Sequence, residues 1–174
     1  MTKSKKLVTA GVCLALCLVL PFITGQIQAI GNMLLPMHLP VLLCGFVTGP
    51  AYAMAVGFIA PLLRYLLFGM PTILPIGLAM AFELAAYGAI CGLLYQKLPR
   101  KIIHLYTSLI GAMLGGRIVW GMAAFVLNRM LGNAFTLPMF FASAFANAVP
   151  GIVIQLVLIP PVILALRKSR LIQQ

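Results

Sequence analysis

Few residues in this chain can do chemistry, and those few sit in unusual company. Arg117 lies in the middle of MLGGRIVWG (Met113 to Gly121), an apolar, glycine-rich run with no acid nearby. Arg64 occupies a similar apolar run, and Glu83, the one acidic residue of the chain, a third. A charge inside such a run is costly in a membrane unless it pairs or lines a wet cavity. One arginine can pair with Glu83, which leaves the other without a carboxylate. Two readings follow. Either each arginine caps backbone carbonyls or reaches lipid headgroups, or the three form a buried site of net positive charge. The second would receive a ligand carboxylate or phosphate, because the guanidinium offers forked donors to such anions.

Other polar side chains join this set. Tyr87 is one turn from Glu83, and Asn128, Ser143 and Asn147 fall at similar heights in their own runs. Gln26, Gln28, Asn32 and His38 lie on a polar-flecked link and its junction with the next apolar segment. Trp120 is three residues beyond Arg117 and shares its helix face. It would stack on a ligand or on the arginine, or else anchor at the membrane interface. His38 alone is as well explained by a satisfied buried or interfacial imidazole. No second His or Cys stands near it at ligand spacing, so no metal is expected.

The elements that must hold these residues are set by composition. The chain of 174 residues is 63% hydrophobic and 7% charged, with a mean hydropathy of +1.14. That is far outside the range of soluble domains, so the fold expected is all-α, an integral membrane bundle. The net charge of +11 comes from cations at segment ends and reads as topology signals, not as a nucleic-acid face. Cys13, Cys17, Cys44 and Cys91 all fall within apolar runs and form no CxxC pair. They read as small core residues.

Punctuation by Gly, Pro and polar clusters divides residues 1–174 into a single membrane domain of six spans, at about 7–24, 39–47, 51–68, 74–95, 102–130 and 138–166. The second is short for a crossing, and the sixth is expected to bend near Pro150-Gly151 and at Pro160-Pro161. The basic start, Lys3 to Lys6, is followed at once by an apolar run without an A-x-A cleavage site, which predicts an uncleaved first span. Six spans put Lys3, Lys5, Lys6, Lys97, Arg100, Lys101, Arg167, Lys168 and Arg170 on one side. By the positive-inside rule that side, with both termini, is cytoplasmic. Arg129 falls near the outer end of the fifth span, within reach of headgroups. Arg64 and Arg117 then sit about 20 Å from the inner face and Glu83 about 13 Å below the outer one, at overlapping depths in a core about 30 Å thick.

Gly111-x-x-x-Gly115 and Gly11-x-x-x-Ala15 are small-xxx-small patterns that permit close helix approach, and the second could dock another membrane protein or pack internally. No Walker A, GxSxG or HExxH motif is present, and a single acid rules out a carboxylate dyad. No catalytic residue and no cofactor is therefore expected. No inverted repeat of the kind seen in coupled carriers is visible.

The basic start, the six segments, the run from Leu35 to Pro50 (LPMHLPVLLCGFVTGP) and Arg117 in GGRIVWG together resemble the substrate-binding S components of energy-coupling factor (ECF) vitamin transporters. The resemblance covers nearly the whole chain. It implies a vitamin or precursor as ligand, captured from outside, and delivery to a transmembrane scaffold (T) subunit with two cytoplasmic ATPases in the cell membrane. It also implies a docking face of AxxxA type on the first helix, here at Gly11 and Ala15. Two membrane arginines favour a carboxylate such as pantothenate, with folate, niacin and biotin also open. The expected site is Arg117, Arg64, Glu83, Asn147, Trp120, His38, Tyr87 and Asn32. The rival classes are an ion-coupled small-solute carrier and a non-transporting membrane scaffold.

Overall fold

The structure is a computed structural model that describes residues 1–24, 27–99 and 101–169, without the side chains of Thr24, Gln28, Ala29 and Asn32. Gln26, Arg100 and Arg170, and the side chains of Gln28 and Asn32, therefore lie outside what is described. Among the described residues every element is helical. In order they are α1 (Lys3–Val19) with a tighter turn at Leu20–Thr24, α2 (Gln28–Leu34), α3 (His38–Thr48), α4 (Pro50–Phe68), a wide turn at Ile73–Gly77, α5 (Leu78–Lys97), α6 (Ile102–Met130), α7 (Leu137–Phe141), a second wide turn at Ala142–Ala146, and α8 (Val149–Lys168).

Local chemistry sets the boundaries. Thr2 caps α1 by accepting from the Lys5 amide, and Thr136 caps α7 by accepting from the Met139 amide. Pro50 opens α4 where no intrahelical N–H is needed, and Gly69, at φ 71°, closes it in the left-handed region. The span expected from residue 74 becomes regular only at Leu78. Leu74 is extended, Pro75 has no N–H to give, and Gly77 instead donates to the Thr72 carbonyl.

Among the described residues five segments are long and apolar enough to cross a membrane: Lys3–Ile23, Pro50–Phe68, Ile73–Lys97, Ile102–Met130 and Leu137–Lys168. The expected second span is different. Its helix, α3, has 11 residues and is about 16 Å long at 1.5 Å per residue, half of a core about 30 Å thick. It is also heavily buried, with His38, Pro40, Val41, Leu42, Cys44, Gly45, Phe46 and Thr48 all inside. The polar-flecked link before it is not a plain loop, because it contains α2. In the sixth span the regular α-helix is interrupted at 142–148, ahead of Pro150, which takes the tolerant first turn of α8, and α8 runs through Pro160 and Pro161.

The bundle is tightest along α4 and α5, which meet through glycines. A Cβ on Gly57 would lie 2.3 Å from the Leu84 carbonyl oxygen, and one on Gly88 would lie 2.6 Å from the Ala53 carbonyl. Backbone therefore packs on backbone, as small residues allow in membrane helices.

α3 runs alongside α5 in the same sense. His38 lies beside Glu83, Gly45 beside Gly88 and Cys91, and Gly49 beside Gln96. α1 returns the other way, with Cys17 donating to the Met37 carbonyl. At the Gly49 end, Arg167 bonds the Tyr95 hydroxyl, so Lys97 at the end of α5, the end of α8 and the start of α1 gather there. That is the basic end of the bundle. The half that α3 leaves unfilled, at the opposite end, is hollow.

Candidate functional site

Glu83 on α5, Arg117 on α6 and His38 at the first turn of α3 meet where α3 begins. An Arg117 guanidinium nitrogen (Nη1) is 2.9 Å from Glu83 Oε1, and His38 Nε2 is 3.4 Å from the same oxygen. The three are 4%, 2% and 1% exposed, so these charges are nearly out of solvent. They are held by distance, not by aligned hydrogen bonds. Both ring nitrogens of His38, and Nε and Nη2 of Arg117, have no hydrogen-bond partner among the described residues. Buried donors left in this way are costly, and they mark a place where a further partner fits.

The glycines of the Arg117 run shape this corner. Gly116 faces Tyr87, where a Cβ would come within 2.1 Å of the ring, and Gly115 faces Ile90 on the same helix, where it would come within 2.4 Å. The Tyr87 ring thus slots against the α6 backbone and meets the His38 ring edge-on at 4.9 Å. Tyr87 orients His38 from behind and is not on the cavity wall.

Arg64 on α4 is held differently. Its Nη1 donates to the Leu18 carbonyl, and its guanidinium lies 5.3 Å from the centroids of both Phe22 and Phe68. Cation–π contact of this kind supports a cation without neutralising it. The one acid of the chain is already beside Arg117, so Arg64 has no carboxylate.

These residues surround a cavity of about 480 Å³, within the range of about 300–1,000 Å³ typical of small-molecule sites. His38, Glu83 and Arg117 form its deep end, at the start of α3. Arg64, Trp120, Asn128, Ser143 and Asn147 also line it, as do Gly69 to Thr72 with Pro75 and Ile76. Two cations and one anion give the lining a net positive charge.

Of the expected site residues, the structure brings Arg117, Arg64, Glu83, His38, Trp120 and Asn147 to one cavity. Tyr87 stands behind it, and the side chain of Asn32 lies outside the described residues. Trp120 stacks on neither arginine. It meets Phe135 edge-on at 5.9 Å and lies nearly parallel to Phe140 at 6.2 Å. Sequence reasoning missed Phe135, and it took 69–73 as a link and 74–76 as the start of the fourth span. The Gly69-Met70-Pro71-Thr72 punctuation marked the link, but nothing local signalled that it would line the cavity.

Gly11 and Ala15 are on the far side of α1, on an exposed apolar face with Leu7, Val8 and Val12. A Cβ on Gly11 would meet nothing within 4 Å, so that glycine serves no packing inside this chain.

The family model described as "ECF transporter, substrate-specific component" matches residues 5–163. No curated protein and no solved structure matches the chain.

Proposed function

The chain belongs to the family of ECF transporter substrate-specific components, and on that premise we propose that it captures a carboxylate-bearing, pantothenate-like vitamin or precursor in the cavity that holds Arg64 and Arg117. Family membership makes it a transporter subunit and not an enzyme, with a small-molecule substrate and an ECF module of T subunit and ATPases as partners. The observation that carries the finer reading is the charge pattern of the cavity. Glu83 is spent on Arg117, the remaining donors of Arg117 and His38 are unpartnered, and Arg64 keeps its full charge beside two rings.

In this reading the ligand carboxylate lies against Arg64, where charge-assisted bonds are strongest. Its hydroxyl or amide end meets Arg117 and His38 at the deep end, and Trp120 supplies an apolar wall. Asn147 adds a neutral polar contact. The basic end of the bundle is cytoplasmic by the positive-inside rule, so the cavity opens to the outside of the plasma membrane. Uptake is driven by ATP hydrolysed on two partner subunits.

The exposed face of α1 is the proposed docking surface for the T subunit. Trp at Gly11 or Ala15 projects into open space, so the affinity of the isolated subunit for substrate should stay within about twofold. ATP-dependent uptake in proteoliposomes containing the full ECF complex should be lost in the same variants. Wild-type uptake by both variants would remove α1 as the docking face. Uptake by this chain alone, driven by an ion gradient, would favour a coupled carrier instead.

A further inference from the structure

On the lipid-facing side of α6, a second hollow of about 380 Å³ lies between that helix and the 135–140 segment. Its walls are Ile118, Gly121, Met122, Phe125, Phe135 and Phe140, with Thr136 and Leu137 at the edge. Ile118, Met122 and Phe125 are exposed by half or more, which in a membrane means exposed to lipid. Gly121 makes the groove possible, because a Cβ there would sit 2.4 Å from the Phe140 ring.

Positions 118, 122, 125 and 129 follow one helical stripe. Arg129, which is exposed, is the next residue of that stripe, about 6 Å beyond Phe125 along the axis and at the end of α6 away from the basic end. The chain's only acidic side chain is Glu83, buried against Arg117 on the other face. Arg129 therefore has no side-chain carboxylate in this chain to pair with, and at the membrane surface a lipid phosphate is an anion within its reach. An apolar groove with a cation at its membrane-surface mouth has the shape and charge of one lipid tail and its headgroup.

We propose that this groove binds one acyl chain of an anionic phospholipid, with the lipid phosphate resting on Arg129. The site also touches the substrate cavity. Phe135 lines both hollows and packs edge-on against Trp120, so a seated acyl chain backs the wall against which a ligand would rest.

The test uses the full chain in nanodiscs of equal phosphatidylglycerol and phosphatidylcholine with identical tails, released for native mass spectrometry. The wild type should retain phosphatidylglycerol over phosphatidylcholine by roughly fivefold, the effect expected of one interfacial cation. Arg129→Gln should abolish that preference, and Met122→Trp, which fills the groove from its lipid side, should release the lipid. Should Met122→Trp not fold, Ile118→Trp fills the same groove. Millimolar glycerol 3-phosphate should displace nothing. Equal retention of both lipids by the wild type, or an unchanged preference in Arg129→Gln, would overturn the proposal. Displacement by glycerol 3-phosphate would also overturn it, because Arg129 would then hold a soluble phosphate.

Discussion

Arg117→Ala is expected to weaken substrate binding by more than about 100-fold and to lower the stability of the subunit by about 3–5 kcal/mol. The two effects have separate causes. Removing the guanidinium leaves Glu83, 2% exposed, with only the His38 imidazole at 3.4 Å. An uncompensated buried carboxylate accounts for the loss of stability. The loss of binding comes from Nε and Nη2, the unpartnered donors of Arg117 in the cavity lining.

The double variant Arg117→Ala/Glu83→Gln separates these causes. It removes the stranded charge, so the thermal midpoint in detergent should recover most of what the single variant lost, while substrate affinity stays low. Recovery of affinity along with stability would mean that Arg117 only props up Glu83 and does not meet the ligand.

Arg64→Ala should act on the ligand's charge alone. Arg64 has no carboxylate to strand, and its backbone bond goes to Leu18, a carbonyl that loses one donor. The structural cost is the opened contact with Phe22 and Phe68. A hydrogen bond to a charged group contributes about 1.5–3 kcal/mol. The affinity for a carboxylate ligand should therefore fall roughly 10- to 150-fold. The corresponding carboxamide, whose carbonyl can accept from the guanidinium but carries no charge, should lose distinctly less. Isothermal titration of the acid and amide forms against both proteins gives the four values needed. An equal loss for acid and amide would show that Arg64 shapes the wall without reading charge.

Much of the helical framework was legible in the sequence because apolar length and punctuation are local properties. The fifth span, expected over 102–130, is α6 at Ile102–Met130. Helical rise also placed Arg64, Glu83 and Arg117 in the same half of the bundle, and all three line one cavity. The shortness of the second span was legible too: it was expected at 39–47 and is α3 at His38–Thr48. Two things were not legible, each for a physical reason. The break before α8 falls in Ala-Ser-Ala-Phe-Ala, where no proline or glycine announces it. The rings that hold Arg64 come from residues 22 and 68, and only the fold makes them neighbours. That contact decides how the two arginines divide their work, since it explains how Arg64 stays charged without an acid.

The central claim is that a small anionic solute completes this cavity. Native mass spectrometry of the gently purified protein, followed by titration with pantothenate, niacin, biotin and folate, tests it most directly. The account predicts one bound carboxylate-bearing small molecule, absent from Arg117→Ala and Arg64→Ala, and rebinding of one acid from the panel to the stripped protein. A subunit that carries only lipid and binds none of these acids, or one that binds a neutral ligand equally well in both variants, would contradict it.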